Sequence, residues 1–370
     1  MVSVATYAGL DYHQHSVQVC VLDEEGRLLG NRSVENDAAV VAQAASRYGR
    51  PRRVAVEACC GAADLADELA ATHGLLVQLA HPGYVNRLKQ SPDKTDWGDA
   101  RLLADLTRIN YLPRVWLAPE AIRQLRRLMR HRTQLVRRRK DVKLRLRGLL
   151  RENRLKCDQA NAWTKAWLAW LATAPLGETD RWLAEDHLEE IAWLTQRLKA
   201  VEAQIVQRVK DDPVVQRLTT LEGVGLVTAA TMRAEIGDFS RFDTGKQLAR
   251  FCGVTPRNAS SGQRQADSGL VKAGSPELRR VLVELAHRLM RRPGDRWGRL
   301  GHDLVRRGKP KNVAIAAVAN RWVRQLHHRL REQPRHIVIR ELRQPHAARN
   351  RDARIFQVAE VALVHVPQDR

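Results

Sequence analysis

Between residues 121 and 155, apolar side chains recur in alternate three- and four-residue steps at Leu125, Leu128, Leu135, Val142, Leu146 and Leu149, with Arg132 and Arg139 filling the other two positions of the series. Such spacing keeps one stripe of a long helix apolar, the heptad seam of a coiled coil, so the chain carries a rod that needs a partner along its length. The same segment holds 14 Lys and Arg against two acids, Asp141 and Glu152. A second heptad run at Ile191, Leu194, Leu198, Val201 and Ile205 predicts either an antiparallel hairpin within the chain or a seam between two copies. Between the runs, Trp163, Trp167 and Trp170 lie at helical spacing on one face and read as packing residues rather than as a base-stacking platform.

Two different kinds of sequence flank the rod. Residues 4–34 predict three short strands, Val4–Leu10, Ser16–Leu22 and Leu28–Val34, the last two joined by the Glu24-Glu25-Gly26 turn. Helices at Ala38–Tyr48, Ala62–Thr72 and Trp97–Arg108 then alternate with a buried strand ending at Glu57 and a strand in LLVQLAHP. A meander followed by alternating strand and helix predicts a mixed sheet with helices packed on it. After Asp211-Asp212-Pro213 the pattern turns helical, with a Gly223-Val224-Gly225 turn, a polar glycine-rich loop RNASSGQRQADSGLVKAGSPE, and helices at Leu278–Arg291 and Asn312–Arg331. The expected organisation is therefore α/β plus all-α: a sheet domain over 1–112, the basic coiled-coil linker over 113–212, a helical domain over 213–333 and a tail over 334–370 whose strand-like pieces have no assigned place.

Charge locates the partner. The 370 residues contain 63 Lys and Arg against 41 Asp and Glu, a net of +22, which favours an acidic polymer such as nucleic acid. Residues 1–110 hold 11 Lys and Arg against 14 Asp and Glu, net −3, leaving 52 against 27, net +25, for residues 111–370. No apolar run approaches the roughly 20 residues of a membrane helix. MVSVATYAGLDYHQ shows no secretory pattern, and the scattered Cys20, Cys59, Cys60, Cys157 and Cys252 form no CxxC pair. A reducing, cytoplasmic, nucleoid-associated setting is expected.

Four acids stand out in the N-terminal region. Asp11 ends the first predicted strand, Glu57 ends the fourth, and Asp96 and Asp99 are three residues apart on one helical turn. If the strands pair as predicted, the four converge at one end of the sheet, where clustered carboxylates call for oxygen-preferring divalent cations, Mg²⁺ or Mn²⁺. Two such ions can clamp a scissile phosphate and activate an attacking oxygen. Strand-end acids also serve as caps or plain surface charge, and His13 and His15 read as solvent-facing polar residues. In the C-terminal half, the Gly223-Val224-Gly225 turn suits a helix-hairpin-helix contact to a DNA phosphate, although capping explains it about as well. Ser260-Ser261-Gly262 reads as a turn, and a serine there becomes a nucleophile only if a metal or arginines ease its deprotonation.

Taken in order, GLD with Asp11, VEAC with Glu57 and KTDWGDARLLA with Asp96 and Asp99 resemble the DEDD motif of the RuvC-like, RNase H-fold domain in the bacterial insertion-sequence transposase family numbered one hundred and ten. The stretch LEGVGLVTAATMRAEIGDFSRFDTGKQLARFCGVTPRNASSG is similar to that family's C-terminal transposase domain, so the resemblance covers roughly residues 4–110 and 215–330.

The resemblance implies a DNA recombinase in which Asp11, Glu57, Asp96 and Asp99 bind the metal and a serine attacks the phosphodiester to give a phosphoserine link. Ser261 is the expected nucleophile and Ser260 the alternative. It also implies a guide (bridge) RNA that pairs with target and donor DNA, and a homo-oligomer, dimer or tetramer. Arg126, Arg130, Arg137, Arg138 and Lys140 of the basic helix would then hold the backbone by charge, with Gly223 and Gly225 contributing amides. Glu222 stands where the family has proline before Gly-Val-Gly, and QRQADSGLVKAGS is less basic than its family counterpart, leaving Arg264 and Lys272 to neutralise the phosphate. The competing readings are a RuvC-like metal-dependent junction nuclease with no covalent step, and a nucleic-acid-binding protein without catalysis.

Overall fold

A computed structural model of the protein describes residues 5–89, 95–158, 160–259, 262, 267–272 and 274–331. It divides into two compact units, Met1–Pro119 and Glu120–Arg370.

The first unit is a six-stranded mixed sheet with helices on both faces. Its strands are β1 (Thr6–Tyr12), β2 (Ser16–Leu22), β3 (Leu28–Glu35), β4 (Pro51–Glu57), β5 (Val77–Ala80) and β6 (Arg114–Val115), in the order β3-β2-β1-β4-β5-β6. The β1–β2 and β2–β3 pairs are antiparallel, β4 lies parallel to β1 and β5 parallel to β4, and β6 closes the edge antiparallel to β5. Helices α1 (Ala38–Ser46) and α2 (Ala62–His73) cover one face, packing on Leu10, Val19, Val54 and Val56. Helices α3 (Pro82–Leu88) and α4 (Asp96–Arg108) cover the other, where Val85, Leu103 and Leu106 meet Ala55 and Ala80 while Ala100 and Ala104 meet Cys20 and Leu22.

Period-two alternation decides which residues face which helix. Along β1, Ala8 and Leu10 point to α1 and α2, so Gly9 and Asp11 point to α4. Gly9 has no side chain for a steric reason: a Cβ there would lie 2.1 Å from the carbonyl oxygen of Ala100 and 2.3 Å from the amide of Ala104. The missing side chain lets α4 sit directly on the sheet. Relative to the predicted elements, β1 runs two residues further, through Asp11 to Tyr12, and α1 stops two residues short, at Ser46. The short α3 and β6 were not anticipated. Each has too few residues to show a periodicity, and β6 is defined by its pairing to β5.

The second unit begins with the long basic helix that the sequence predicts. Helix α5 (Glu120–Glu152) pairs with α7 (Glu178–Val209), and the short α6 (Lys165–Thr173) packs near their shared end. Cross-links from Arg132 to Glu202, Arg139 to Thr195 and Asn153 to Asp180 descend on α7 as they ascend on α5, so the two helices are antiparallel. Leu135, Val142 and Leu146 of the first seam and Ile191, Leu194 and Leu198 of the second are buried in one core. The arginines within the seam have specific partners: Arg132 donates to Glu202 Oε1 at 2.8 Å and Arg139 to Thr195 Oγ1 at 3.1 Å. Trp167 is buried in the same core, with Trp163 and Trp170 packed against it at ring separations of 4.9 and 6.1 Å from Trp167.

The remaining helices are α8 (Pro213–Thr219), α9 (Leu226–Ile236), α10 (Gly245–Phe251), α11 (Pro276–Met290), α12 (Arg296–Arg306) and α13 (Lys311–Arg331). Leu218, Met232, Leu248, Leu282, Leu285 and Val323 build their core, which takes in Leu125 and Met129 from the start of α5 and Ile205 and Val209 from the end of α7. The loop expected after Pro256 holds a short antiparallel pair, β7 (Pro256–Asn258) with β8 (Asp267–Leu270). Helix α12 was also not anticipated, because arginines and glycines interrupt its apolar positions. The tail over 334–370 lies outside the described residues.

Candidate active site

The parallel register carries the first two acids together. Gly9 pairs with Ala55 and Leu10 with Val56, so Asp11 and Glu57 take the next positions of adjoining strands, on the face that α4 covers. The start of α4 supplies the other two. Thr95 caps the helix, its hydroxyl accepting from the Gly98 amide at 3.1 Å, which places Asp96 and Asp99 in the first turn, where the helix dipole favours negative charge. Asp11, Glu57 and Asp99 line one cleft of about 280 Å³ together with Tyr12, His13, Cys59, Asn86 and Lys89. Asp96 joins them through a histidine: His13 Nε2 stands 3.3 Å from Asp11 Oδ2 and 3.3 Å from Asp96 Oδ1.

Two basic side chains therefore sit on the acids. Beside the His13 bridge, Lys89 Nζ lies 2.6 Å from Asp99 Oδ1, and both side chains are largely buried. Burial holds the Asp11 carboxyl above the usual carboxylate range; the Asp96 and Asp99 charges push the same way, and His13 opposes them. Burial likewise raises the Cys59 thiol, with Glu57 adding to the effect. A site this rich in negative charge stabilises any cation that enters it. Its donors are carboxylate oxygens in an open cleft, which fits a hard divalent ion such as Mg²⁺ or Mn²⁺. Asp11, His13 and Asp96 alone bring three potential ligand atoms within 4.8 Å of one another.

Sequence reasoning put His13 on the solvent side and did not single out Lys89. His13 is indeed exposed, yet the tight β1–β2 turn, closed by its amide donating to the Ser16 carbonyl at 2.9 Å, leaves its ring over Asp11. Its position two residues after Asp11, on the same side of the chain, was the available signal. Lys89 had none, because it follows a helix that sequence periodicity does not show. Trp97, exposed between the two α4 acids, carries the Arg101 guanidinium over its ring at 5.4 Å.

The candidate residues of the second unit are placed less uniformly. Ser260, Ser261 and Arg264 lie outside the described residues, while Gly262 is in a left-handed conformation and Lys272 is exposed. The base of the hairpin that carries the serines is firmly tied: Arg279 donates to the carbonyls of Gly253 at 3.0 Å and Val271 at 3.1 Å, and Asn320 donates to that of Val254 at 3.1 Å. Gly223 turns with φ +75° between α8 and α9, Gly225 precedes α9 in open space, and Glu222 pairs with Arg292.

The basic-helix candidates divide into two groups. Arg126 is half-buried and donates to the Ala234 carbonyl at 2.6 Å, capping the end of α9, and burial lowers its pKa. Arg130 and Arg137 are exposed but face Glu235 at 3.6 Å and Glu277 at 2.7 Å. Arg138 lies over the exposed Trp193 at 5.8 Å, and Lys140 is exposed.

Residues 8–154 match a family profile described as a DEDD transposase of IS110 type, and residues 215–300 match one described as transposase, IS116/IS110/IS902 family. The first match spans all four acids and runs through α5. A probable family 20 transposase of Pseudomonas aeruginosa is 31% identical over 334 residues, 86% of this chain and 94% of its own length. The IS1111A transposase of Coxiella burnetii is 28% identical, covering 85% and 86%, and the IS1328 transposase of Yersinia enterocolitica 28% identical, covering 74% and 82%.

Proposed function

The chain belongs to the IS116/IS110/IS902 family of insertion-sequence transposases, DNA recombination enzymes, and on that premise we propose that it cuts and rejoins DNA strands with a carboxylate-held divalent metal and a serine nucleophile. The observation that carries the metal half of this reading is the cleft at the end of the sheet, where Asp11, Glu57 and Asp99 converge and Asp96 is joined through His13. These four residues would hold the ions. Bound there, Mg²⁺ would polarise the phosphodiester and offset the charge that builds on its oxygens.

The chain's own groups account for the rest. Lys89, on Asp99, and His13, on Asp11 and Asp96, are the basic side chains that would stand beside a phosphate held at this cleft. The Oγ of Ser261, or of Ser260, attacks phosphorus, a phosphoserine bond forms, the P–O bond to one nucleoside breaks, and the released hydroxyl takes up a proton. The new ester conserves the bond energy, so a hydroxyl from the exchange partner can attack it and regenerate the serine.

The antiparallel pair α5–α7, read as a coiled-coil hairpin, presents Arg130, Arg137, Arg138 and Lys140 to nucleic-acid backbone, and the Gly223-Val224-Gly225 turn offers amides as a helix-hairpin-helix does. Arg126, occupied at the end of α9, acts in packing instead. Arg264 and Lys272 remain the candidates beside the serines. A guide RNA selects the sequences by pairing, and a dimer or tetramer works inside the bacterial cell near the nucleoid.

A suicide DNA substrate that traps the phosphoserine tests the reading. The wild type should form a covalent adduct that needs Mg²⁺, and Ser261→Ala should lose it. Loss in Ser260→Ala instead moves the role by one residue. Clean cutting that needs Asp11 but never yields an adduct establishes the junction-nuclease reading.

A further inference from the structure

Helices α12 and α13 form an open groove of about 690 Å³ that neither the acid cluster nor the serine hairpin uses. Its walls are helical stripes: Arg296, Arg299 and Asp303 along α12, and Arg321, Arg324 and His328 along α13. Asp303 is its one acid, and that carboxylate is paired with Arg306. Arg321 and Arg324 are exposed, and no ion pair to either is seen among the described residues. The groove floor includes Trp297, half-buried against the helical core, with the Arg296 guanidinium lying over its ring at 5.1 Å. Arg296 is further steadied by donating to Gln325 Oε1 at 3.2 Å across the groove.

The groove is deliberately shaped. Gly298 permits α12 to sit on the preceding turn, since a Cβ there would lie 1.9 Å from the Arg292 carbonyl oxygen. Gly301 packs against Met290 in the same way. Those contacts bury the small-residue side of α12 and leave its arginine stripe facing the arginines of α13.

The exposed guanidinium groups of Arg321 and Arg324 suit a run of phosphates, and a stacked Arg–Trp pair offers a flat surface to a base that has left its helix. A base inside a duplex cannot reach such a surface. Strand cutting and rejoining by a transposase expose unpaired DNA. We propose that the α12–α13 groove binds an unpaired DNA strand, with Arg321 and Arg324 on its phosphates and the Arg296–Trp297 pair beneath one of its bases. The inference rests on the transposase assignment but needs neither the metal nor the serine.

The test is binding of a short labelled single-stranded oligodeoxynucleotide to the full chain in chelator, where no cutting occurs. Replacing Arg321→Gln and Arg324→Gln together should lower the slope of log affinity against log salt by about 1.4, two phosphates at about 0.7 each for a single strand. Trp297→Leu should weaken binding about tenfold at fixed salt, while Trp297→Phe, which keeps a ring, should stay near wild type. The pair Arg32→Gln and Arg52→Gln, exposed on the first unit and equal in charge, should leave the slope unchanged. An unaltered slope in the groove pair, or the same loss in the control pair, overturns the proposal. So does duplex DNA that depends equally on Trp297, or RNA of the same sequence that depends on the groove when DNA does not. If the wild type binds no nucleic acid at all, the backbone-binding role given to α5 fails with it, whereas a failure of the groove variants alone leaves that role standing.

Discussion

The two units handle charge in opposite ways. At the end of the sheet, acids are crowded into a small cleft, with the Asp11 carboxyl held above its usual range, a lysine on Asp99 and a histidine between Asp11 and Asp96. Along α5, arginines outnumber acids yet are spread over a long helix, and those nearest the core are matched singly to Glu202, Thr195 and the end of α9. Crowding stores a demand for a cation, a feature useful to chemistry. Spreading leaves a diffuse positive field, useful for holding a polyanion without strain.

The contrast breaks most visibly if the acids are neutralised. Asp11→Asn should reduce strand cutting on the order of a thousandfold with the fold intact, measured by product formation beside a circular-dichroism spectrum. Exchanging a charge on α5, such as Lys140→Gln, should change cutting severalfold at most and mainly through the salt dependence of binding. Equal losses would mean that both regions serve the chemistry alike.

Next comes the scaffold beneath the acids. Gly9→Val should destabilise the first unit by about 3 kcal/mol or more, because its side chain must displace the α4 backbone at Ala100 and Ala104. Denaturant unfolding measures this, and a near-normal midpoint would show that α4 can lift without cost.

A smaller effect follows from the raised Asp11 carboxyl. Its folded-state pKa lies above the unfolded one, so the folded state holds the proton more tightly, and stability falls as pH rises through that interval. At neutral pH the ionised group is therefore a liability. Asp11→Asn should melt a few degrees higher than wild type at neutral pH without metal, and the difference should vanish below the ordinary carboxylate range. Mg²⁺ should raise the wild-type melting temperature and leave that of Asp11→Asn nearly unmoved. A variant that melts below wild type at neutral pH would contradict the crowding argument.

The smallest change is expected in the rod. Arg132→Leu replaces a partly buried ion pair by a seam leucine and should be neutral or mildly stabilising, within about 1 kcal/mol. A large loss would mark the pair with Glu202 as the element that sets the register of α5 against α7.

Much of this was legible in the chain itself. Of the heptad positions, Leu125, Leu135, Val142 and Leu146 on α5 and Ile191, Leu194, Leu198 and Ile205 on α7 are buried, whereas Leu128, Leu149 and Val201 are half-buried; a long helix repeats its pattern often enough for the period to show. The strands that carry Asp11 and Glu57 lie within two residues of where their alternation put them. The short elements were not legible: α3, β6, β7 and β8 have too few residues to carry a period and exist because a neighbouring segment holds them.

What the sequence alone determined is the inventory: a mixed sheet with four acids at element ends, a basic heptad rod and a helical remainder, all consequences of local periodicity and residue type. Only the tertiary structure decided who meets whom. It set Lys89 on Asp99 and His13 between Asp11 and Asp96, turned Arg126 from a backbone-binding candidate into a helix cap, and opened a groove between α12 and α13. Pairings of that kind depend on distances across the fold, and apart from the nearness of His13 to Asp11 no local pattern of residues encodes them.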